Sequence, residues 1–417
     1  MNESIKKRIE AVRQGEVPEG YRRTRAGLMP LDWQGDLAAK DVFRNYTNKK
    51  HNGEFQVLSA TQDRGIIPRS EVDIDIKFAE ENVGSYKKVD AGDFVISLRS
   101  FQGGIEYSEY EGLVSPAYTV LKATRPISDN YYRAYFKTPD FISRLNGAVY
   151  GIRDGKQIGY EDFGELAVHY PSLAEQQKIA EILAICDRVI ELKKQLLEEK
   201  RRQKQWLMKK LLSESTSVKE MTLSDLCSVI CDGDWIESKD QSELGIRLIQ
   251  TGNVGVGRYL DKEGRARYIS QETFERLHCT EVFTGDVLVS RLPDPIGRAC
   301  SIPELTVRAI TAVDCTILRF KEAAIAEFFL QYATSSEYFN KIAILAGGST
   351  RTRISRKEIE KLSVPIPANT TTMRKISSGL SLADKEIAML EQELVAWQQK
   401  KKALMQFLLT GLVRVNA

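Results

Sequence analysis

Apolar residues recur at alternating spacings of four and three along two long stretches of the chain. In the first, the seam runs Ile179, Leu183, Cys186, Ile190, Lys193, Leu197, Lys200, Lys204, Leu207, Leu211. In the second it runs Ile376, Leu380, Ala383, Ile387, Leu390, Leu394, Trp397, Lys401, Leu404, Leu408. Such a pattern sustained over more than four heptads predicts coiled-coil helices rather than helices lying on a globule. The first opens after Pro171 with Ser172-Leu-Ala-Glu175, a capping box in which the Ser takes a free backbone N–H and the Glu reaches back. It runs without Pro or Gly to about Leu212. The second runs from about Thr370 to Thr410 and stops before Gly411, with Gly379 interrupting its first turns at a cost of ~1 kcal/mol. Each stripe alone would stay uncovered, and two stripes of equal length are most simply buried against each other. A globule lies between them, and parallel pairing would need it to span a full helix length. Antiparallel pairing is therefore expected.

The remaining segments change period. Phe55–Ala60 and Gly245–Gln250 read as strands, followed by the turns Asp63-Arg-Gly65 and Gly252-Asn-Val-Gly255. Val72-Asp-Ile-Asp-Ile-Lys77 alternates as a half-buried strand would, and Tyr131–Leu145 and Ala323–Leu345 read as helices. The two sets of elements are copies. Val89-Asp-Ala-Gly-Asp-Phe-Val-Ile-Ser97 matches Val282-Phe-Thr-Gly-Asp-Val-Leu-Val-Ser290, and Ile158, Leu166 and Pro171 match Ile354, Leu362 and Pro367. In the helices, Ile179, Leu183, Asp187, Ile190, Leu197, Leu207 and Met208 fall on Ile376, Leu380, Asp384, Ile387, Leu394, Leu404 and Met405, a constant offset of 197. That period is too long for a solenoid and means two copies of one globule-plus-helix unit. The expected organisation is a mixed α/β globule over 1–170, a helix over 171–213, a second globule over 214–367 and a second helix over 368–417.

Composition narrows the function classes. With 417 residues, 42% hydrophobic and 28% charged, the chain is a multidomain globular protein. No apolar run approaches the ~18 residues of a membrane span. The N-terminal MNESIKKRIEAVRQG has no apolar signal core, and six Cys make no disulfide scaffold, so a cytoplasmic location is expected. Sixty Lys and Arg against 57 Asp and Glu give +3, so any DNA contact must come from local patches rather than bulk charge.

Several segments resemble the specificity subunit of type I restriction–modification systems. They are Gly20-Tyr-Arg-Arg-Thr-Arg-Ala-Gly-Leu-Met-Pro-Leu-Asp-Trp33; Gly92-Asp-Phe-Val-Ile-Ser-Leu-Arg-Ser-Phe-Gln-Gly-Gly104 with Ser115-Pro-Ala-Tyr118; Pro171-Ser-Leu-Ala-Glu-Gln-Gln-Lys-Ile179; and Gly285-Asp-Val-Leu-Val-Ser-Arg291. The resemblance spans essentially the whole chain. One departure is Asn369-Thr-Thr-Thr-Met-Arg374, where the second helix lacks the Glu-Gln of the first. The resemblance implies two target-recognition domains separated by two long antiparallel helices. Each domain would read one half of a split double-stranded DNA site. The helices would dock two methylation subunits, and restriction subunits would join them. S-adenosylmethionine, Mg2+ and ATP would sit on those partners, with no cofactor or metal on this chain and no membrane partner. A pseudo-twofold chain suits two identical partners.

Catalytic alternatives fare poorly. There is no Asn/Asp-Pro-Pro-Tyr/Phe motif, and Gly151-Ile-Arg-Asp-Gly-Lys156 is one residue short of a P-loop, with Gln157 in place of Ser or Thr. Asp73-Ile-Asp-Ile-Lys77 lacks an upstream Pro-Asp to complete a nuclease cluster. Cys227-x-x-x-Cys231 with His278-Cys279 does not have zinc-knuckle spacing. The chain is thus expected to be a non-catalytic recognition subunit rather than a self-sufficient methyltransferase or nuclease, or a scaffold without DNA. Candidate DNA contacts are Arg99, Gln102, Arg153, Lys156, Gln157, Arg291, Arg298, Arg351 and Arg353. These side chains read guanine and adenine edges, and they recur in turns of both halves. Glu199-Lys-Arg-Arg-Gln-Lys204 and Lys400-Lys-Lys402 could neutralise phosphates of an unread spacer or be solvated helix faces.

A helix of ~40 residues is ~60 Å long, about 18 base pairs, enough to hold two half-sites roughly one turn apart. Inserting or deleting whole heptads within Leu183–Leu197 should change the length of the unread gap and leave both half-sites unaltered. Methylated-base mapping that finds an unchanged gap would refute the ruler role.

Overall fold

A computed structural model describes residues 3–72, 80–98, 100, 104–148, 158–215, 217–347 and 352–415. Its contacts divide the chain into two units, Met1–Leu192 with Leu394–Ala417, and Lys193–Glu393. Both long helices, Leu173–Ser213 and Thr370–Leu409, cross that division. The first unit is therefore built from two separate stretches of chain.

The duplication is visible strand by strand. The first unit holds a four-stranded antiparallel sheet in the order Phe43–Tyr46, Thr119–Ala123, Phe94–Ile96, Glu106–Tyr107. The second holds the same sheet as Cys227–Asp232, Cys315–Phe320, Val287–Ser290, Ala299–Ser301. The strand leading into each long helix pairs with a strand from the early part of its own globule. These pairs are Ala167–Tyr170 with Gln34–Ala38, and Ser363–Pro367 with Val218–Thr222. The repeated Gly-Asp explains itself here. Gly92 and Gly285 take positive φ (101° and 88°), and the next Asp closes the turn on a backbone N–H, Asp93 on Asp90 at 2.9 Å and Asp286 on Phe283 at 2.8 Å. Each Asp also meets a cation on the central strand, Lys122 at 3.4 Å and Arg319 at 2.7 Å.

The expected strands appear as Leu58–Thr61 and Ile246–Ile249. In the second unit Ile246–Ile249 lies inside a further four-stranded sheet and pairs in parallel with Ala309–Thr311. Beyond Val72, the alternating segment to Lys77 lies outside the described residues. The helices expected over Tyr131–Leu145 and Ala323–Leu345 are each two helices, Asp129–Tyr135 with Pro139–Gly147, and Ala323–Tyr332 with Ser336–Leu345. A side-chain cap breaks each one. Thr138 Oγ1 accepts from Phe141 N–H at 3.3 Å, Ser335 Oγ accepts from Tyr338 N–H at 3.1 Å, and Pro139 starts the second helix of the first pair. The apolar period runs through both breaks because both helices of each pair face one core, so hydrophobicity alone does not show the stop.

Every seam position of both long helices is buried or half-buried. In the first unit Ile179, Leu183, Leu408 and Leu409 share a core with Phe43, Tyr132, Phe136 and Phe141. In the second, Met208, Ile376 and Leu380 share one with Phe328, Phe329 and Tyr338. The start of one helix meets the end of the other in both units, which is the antiparallel arrangement. Ion pairs flank the seam: Asp187 with Lys401 in the first unit, and in the second Lys193–Glu393 at 2.5 Å, Lys200–Glu386 at 2.7 Å, Arg201–Glu391 at 2.8 Å and Lys204–Asp384 at 2.6 Å. Asp187–Lys401 and Asp384–Lys204 are the same pair in the two copies, displaced by 197.

One expectation about the helices needs correction. The capping box is only half formed: Ser172 Oγ accepts from Glu175 N–H at 3.2 Å, but the buried Glu175 carboxylate accepts from Trp33 Nε1 at 2.8 Å and from Arg414 Nε at 2.8 Å. Gln176 likewise faces inward, taking Ser128 N–H at 2.9 Å and donating to Pro171 O at 3.0 Å. The second helix start carries a buried Met373 where the first has Gln176. The Lys side chains of the seam are not equally buried. The side chain of Lys204 is 7% exposed and its ammonium donates to Asp384 and, at 3.2 Å, to Thr334 Oγ1, whereas that of Lys401 is 27% exposed.

Paired cysteines at Ile179 and Leu408 should crosslink under mild oxidation on non-reducing gels, while a pair at Ile179 and Ile376 should not. Thermal or denaturant melts should show Leu197→Ala costing about 2–5 kcal/mol. Lys204→Ala should destabilise more than Lys401→Ala, since it strips a buried partner from Asp384. Equal losses would mean that the Lys204 contacts do not hold in solution.

Candidate nucleic-acid interface

Six of the nine candidate contacts, Arg99, Gln102, Arg153, Lys156, Gln157 and Arg351, lie outside the described residues. The other three belong to the second unit, and the fold gives them different work. Arg291 follows the buried strand Val287–Ser290. Its guanidinium is itself buried, donating to Asp232 Oδ2 at 2.7 Å and to the Val313 carbonyl at 3.0 Å. Thr316 Oγ1 donates to the other oxygen of Asp232 at 2.9 Å. The Arg291 backbone N–H reaches the carbonyl of Asp314 at 2.9 Å, and its carbonyl accepts from Ile354 N–H at 3.3 Å.

Arg353 comes to the same turn from the other end of the unit's sequence. Its side chain is 45% exposed and pairs with Asp314 at 2.7 Å, while its backbone pairs in both directions with Gly347. Arg291 and Arg353 thus converge on Val313-Asp314, one beneath the surface and one at it. A guanidinium has five N–H donors, and a single carboxylate contact leaves several of them facing outward. Arg353 is therefore the described candidate that keeps donors at the surface, with Arg291 stiffening the turn beneath it.

Arg298 is an internal strut. It is 8% exposed, and its donors end on backbone carbonyls: Val254 at 2.7 Å, Leu292 at 2.9 Å, Pro295 at 3.0 Å and Thr251 at 3.0 Å. Burial lowers its pKa. A buried cation facing only carbonyls ties two loops together. At the matching place in the first copy stands Ile105, which is buried. One copy fills the position with an apolar side chain and the other with a cation and its hydrogen bonds.

Sequence reasoning missed the aromatic and basic surface of the central helix. Trp206 is 60% exposed, with Lys210 Nζ 4.9 Å from its ring centre. The pattern Lys204-Gln-Trp-Leu-Met-Lys-Lys210 carries that signal, but the heptad reading absorbs it. The cysteines make poor metal ligands, because burial pushes Cys227 up to about 12 and Cys279 up to about 11, disfavouring thiolates. Among the described residues no cluster of His, Cys, Asp and Glu could hold a metal ion.

Arg353→Ala should relax recognition in one half-site only, by about 1–3 kcal/mol if the contact is to a base, read from the methylated-base map. Arg298→Ala should lower the melting temperature instead, because it leaves buried carbonyls without donors. Loss of discrimination at both half-sites from Arg353→Ala would point to a folding defect.

Comparison with known proteins bears on what this surface serves. The family model described as "Type I restriction modification DNA specificity domain" matches twice, over residues 32–200 and 216–396. The chain is similar to the specificity subunit of the type I restriction enzyme MjaVIII of Methanocaldococcus jannaschii. The two are 22% identical over 348 residues, 79% of this chain and 80% of the relative. It is also similar to a protein of the same organism assigned as the MjaX specificity subunit, 24% identical and covering 95% and 97% of the two chains. A chain from a structure of type I restriction–modification complex assembly shares the fold, with a TM-score of 0.60 at 14% identity over 95% of this chain and all of that one.

Proposed function

The chain belongs to the family of type I restriction–modification DNA specificity subunits, and from that we propose that it reads a bipartite double-stranded DNA site and docks methylation and restriction subunits onto its helices. The observation that carries this reading is the internal duplication. Two globules with one strand order are each anchored on the antiparallel helix pair, and the same Asp–Lys pair recurs in each unit. A single globule could read one short sequence. Two related globules on one chain suit two half-sites with an unread gap.

The duplication also supports two copies of one methylation subunit. Ile185 and Leu192 stand exposed in the first unit, and Leu382 and Met389, at the matching positions, stand exposed in the second. Apolar side chains exposed at equivalent places suit one patch of a partner meeting the chain twice. Transfer chemistry then resides on the partners, with S-adenosylmethionine, Mg2+ and ATP bound there. This chain contributes address rather than catalysis. Among the described residues no helix is long and apolar enough to cross a membrane.

The purified chain should shift random duplex at low salt, with affinity falling steeply as salt rises. Incubated alone with labelled S-adenosylmethionine and DNA, it should incorporate no label. With its methylation subunits it should methylate one split sequence. Incorporation by the chain alone, or no shift at low salt, would overturn the reading.

A further inference from the structure

In the second unit a cleft of about 740 Å3 lies between the turn that follows strand Ile246–Ile249 and the two long helices. The turn is shaped by its glycines. Gly257 has φ +71°, and a Cβ on Gly255 would stand 2.8 Å from the Arg258 carbonyl oxygen. Asn253 pins the turn from inside, its Oδ1 accepting from Gln250 N–H at 3.0 Å and its Nδ2 donating to Leu260 O at 2.9 Å. The result presents Arg258 and Lys262 to the cleft, while the helices present Arg201 and Lys385 from the other side.

The charges in this cleft are incompletely matched. Glu391 is shared by two guanidiniums, Arg201 at 2.8 Å and Arg258 at 3.4 Å. The Arg258 side chain is 66% exposed, and the contact is long enough to be weak. Lys262 and Lys385 are exposed and make no ion pair among the described residues. The repeat-equivalent cleft of the first unit, about 680 Å3, has a different wall. There Glu106 is 2% exposed, with Oε1 on Lys137 at 2.6 Å and Oε2 without a hydrogen-bond partner among the described residues. The second unit's cleft carries Asp294 and Asp384 besides Glu391, but against five Lys and Arg side chains, whereas the first unit's cleft is lined by three acidic and three basic side chains, so the two clefts differ in what they accept.

The geometry points to the second unit's cleft as a phosphodiester-binding site, in which a DNA backbone phosphate takes the donors that Arg201 and Arg258 now share on Glu391. This rests on the DNA-reading function proposed above. It adds that Arg258, Lys262 and Arg201 contribute affinity without sequence, and that Glu391 is a placeholder carboxylate competing with the phosphate. Arginine forks suit phosphate oxygens, and such contacts position a protein on DNA without reading bases.

The test titrates full-length protein with a cognate duplex and a random duplex across a salt series. Arg258→Ala and Lys262→Ala should each weaken both duplexes equally and reduce the salt slope by ~1, leaving the ratio between duplexes unchanged. Glu391→Gln should tighten both duplexes, a gain that misfolding cannot produce. Glu386→Gln changes the same charge on the same helix, outside the lining of the cleft, and should tighten binding less. If wild type binds DNA but Arg258→Ala and Lys262→Ala leave affinity and slope unchanged, the cleft is not a phosphate site. The same conclusion follows if Glu391→Gln and Glu386→Gln act alike. If wild type shifts no duplex at low salt, the DNA-reading function fails, and this inference with it. Loss of methylation-subunit binding with DNA affinity intact would assign the cleft to a protein partner.

Discussion

Everything in this molecule depends on covering two apolar stripes. A 40-residue helix with a four-three seam cannot stand alone in water, and the only comparable stripe in the chain is its own repeat. Antiparallel pairing puts the start of each helix against the end of the other. Each globule core therefore draws residues from both helices: Ile179 with Leu408 in one, Met208 with Ile376 in the other. The recurrent pair Asp187–Lys401 and Asp384–Lys204 occupies repeat-equivalent positions of the two helices in both units. Globule and helix pair are consequently parts of one folding problem rather than modules joined by linkers.

The duplicated halves have diverged at the corner where each globule meets its long helices. In the second unit the central helix is followed by the strand Val218–Thr222. In the first unit the corresponding corner is closed by side chains from distant parts of the sequence. Arg414 does this, donating to both oxygens of Asp32 at 2.8 Å and to Glu175, while Tyr21 Oη donates to the Gly411 carbonyl at 2.7 Å and Trp33 reaches Glu175. His169 belongs to the same corner. Its Nδ1 lies 2.9 Å from the Leu409 carbonyl, and burial lowers its pKa to about 4, so the imidazole stays neutral there. Both residues of the Glu-Gln pair at the first helix start are engaged inside the first unit, Glu175 with Trp33 and Arg414 and Gln176 with Ser128 and Pro171.

A similar divergence separates surface from support among the basic residues. Arg291, Arg298 and Arg353 are alike in composition and neighbourhood, yet one stiffens a turn, one ties two loops and one faces solvent. A guanidinium is long and rich in donors, so it satisfies buried carbonyls as readily as it contacts DNA. The burial of each decides which use it serves, and burial is a property of the whole fold.

Local order was legible from the amino acids alone. The helix seam and the Gly-Asp turns follow from periodicity and turn chemistry, which act over a few residues, the duplication from the constant offset between the halves, and the antiparallel expectation from the globule that lies between two stripes needing cover. The breaks at Thr138 and Ser335 lay within reach of capping rules but were hidden by a continuous apolar period. Other features could not be read from neighbours in sequence. Glu175 turns from its capping box to Arg414, 239 residues away, and Lys204 finds Asp384, 180 residues away. Arg298 closes on loops brought to it by two different strands. These contacts join groups far apart in the chain, and only the packed core sets which charged side chain is sealed in and which is left to meet a ligand.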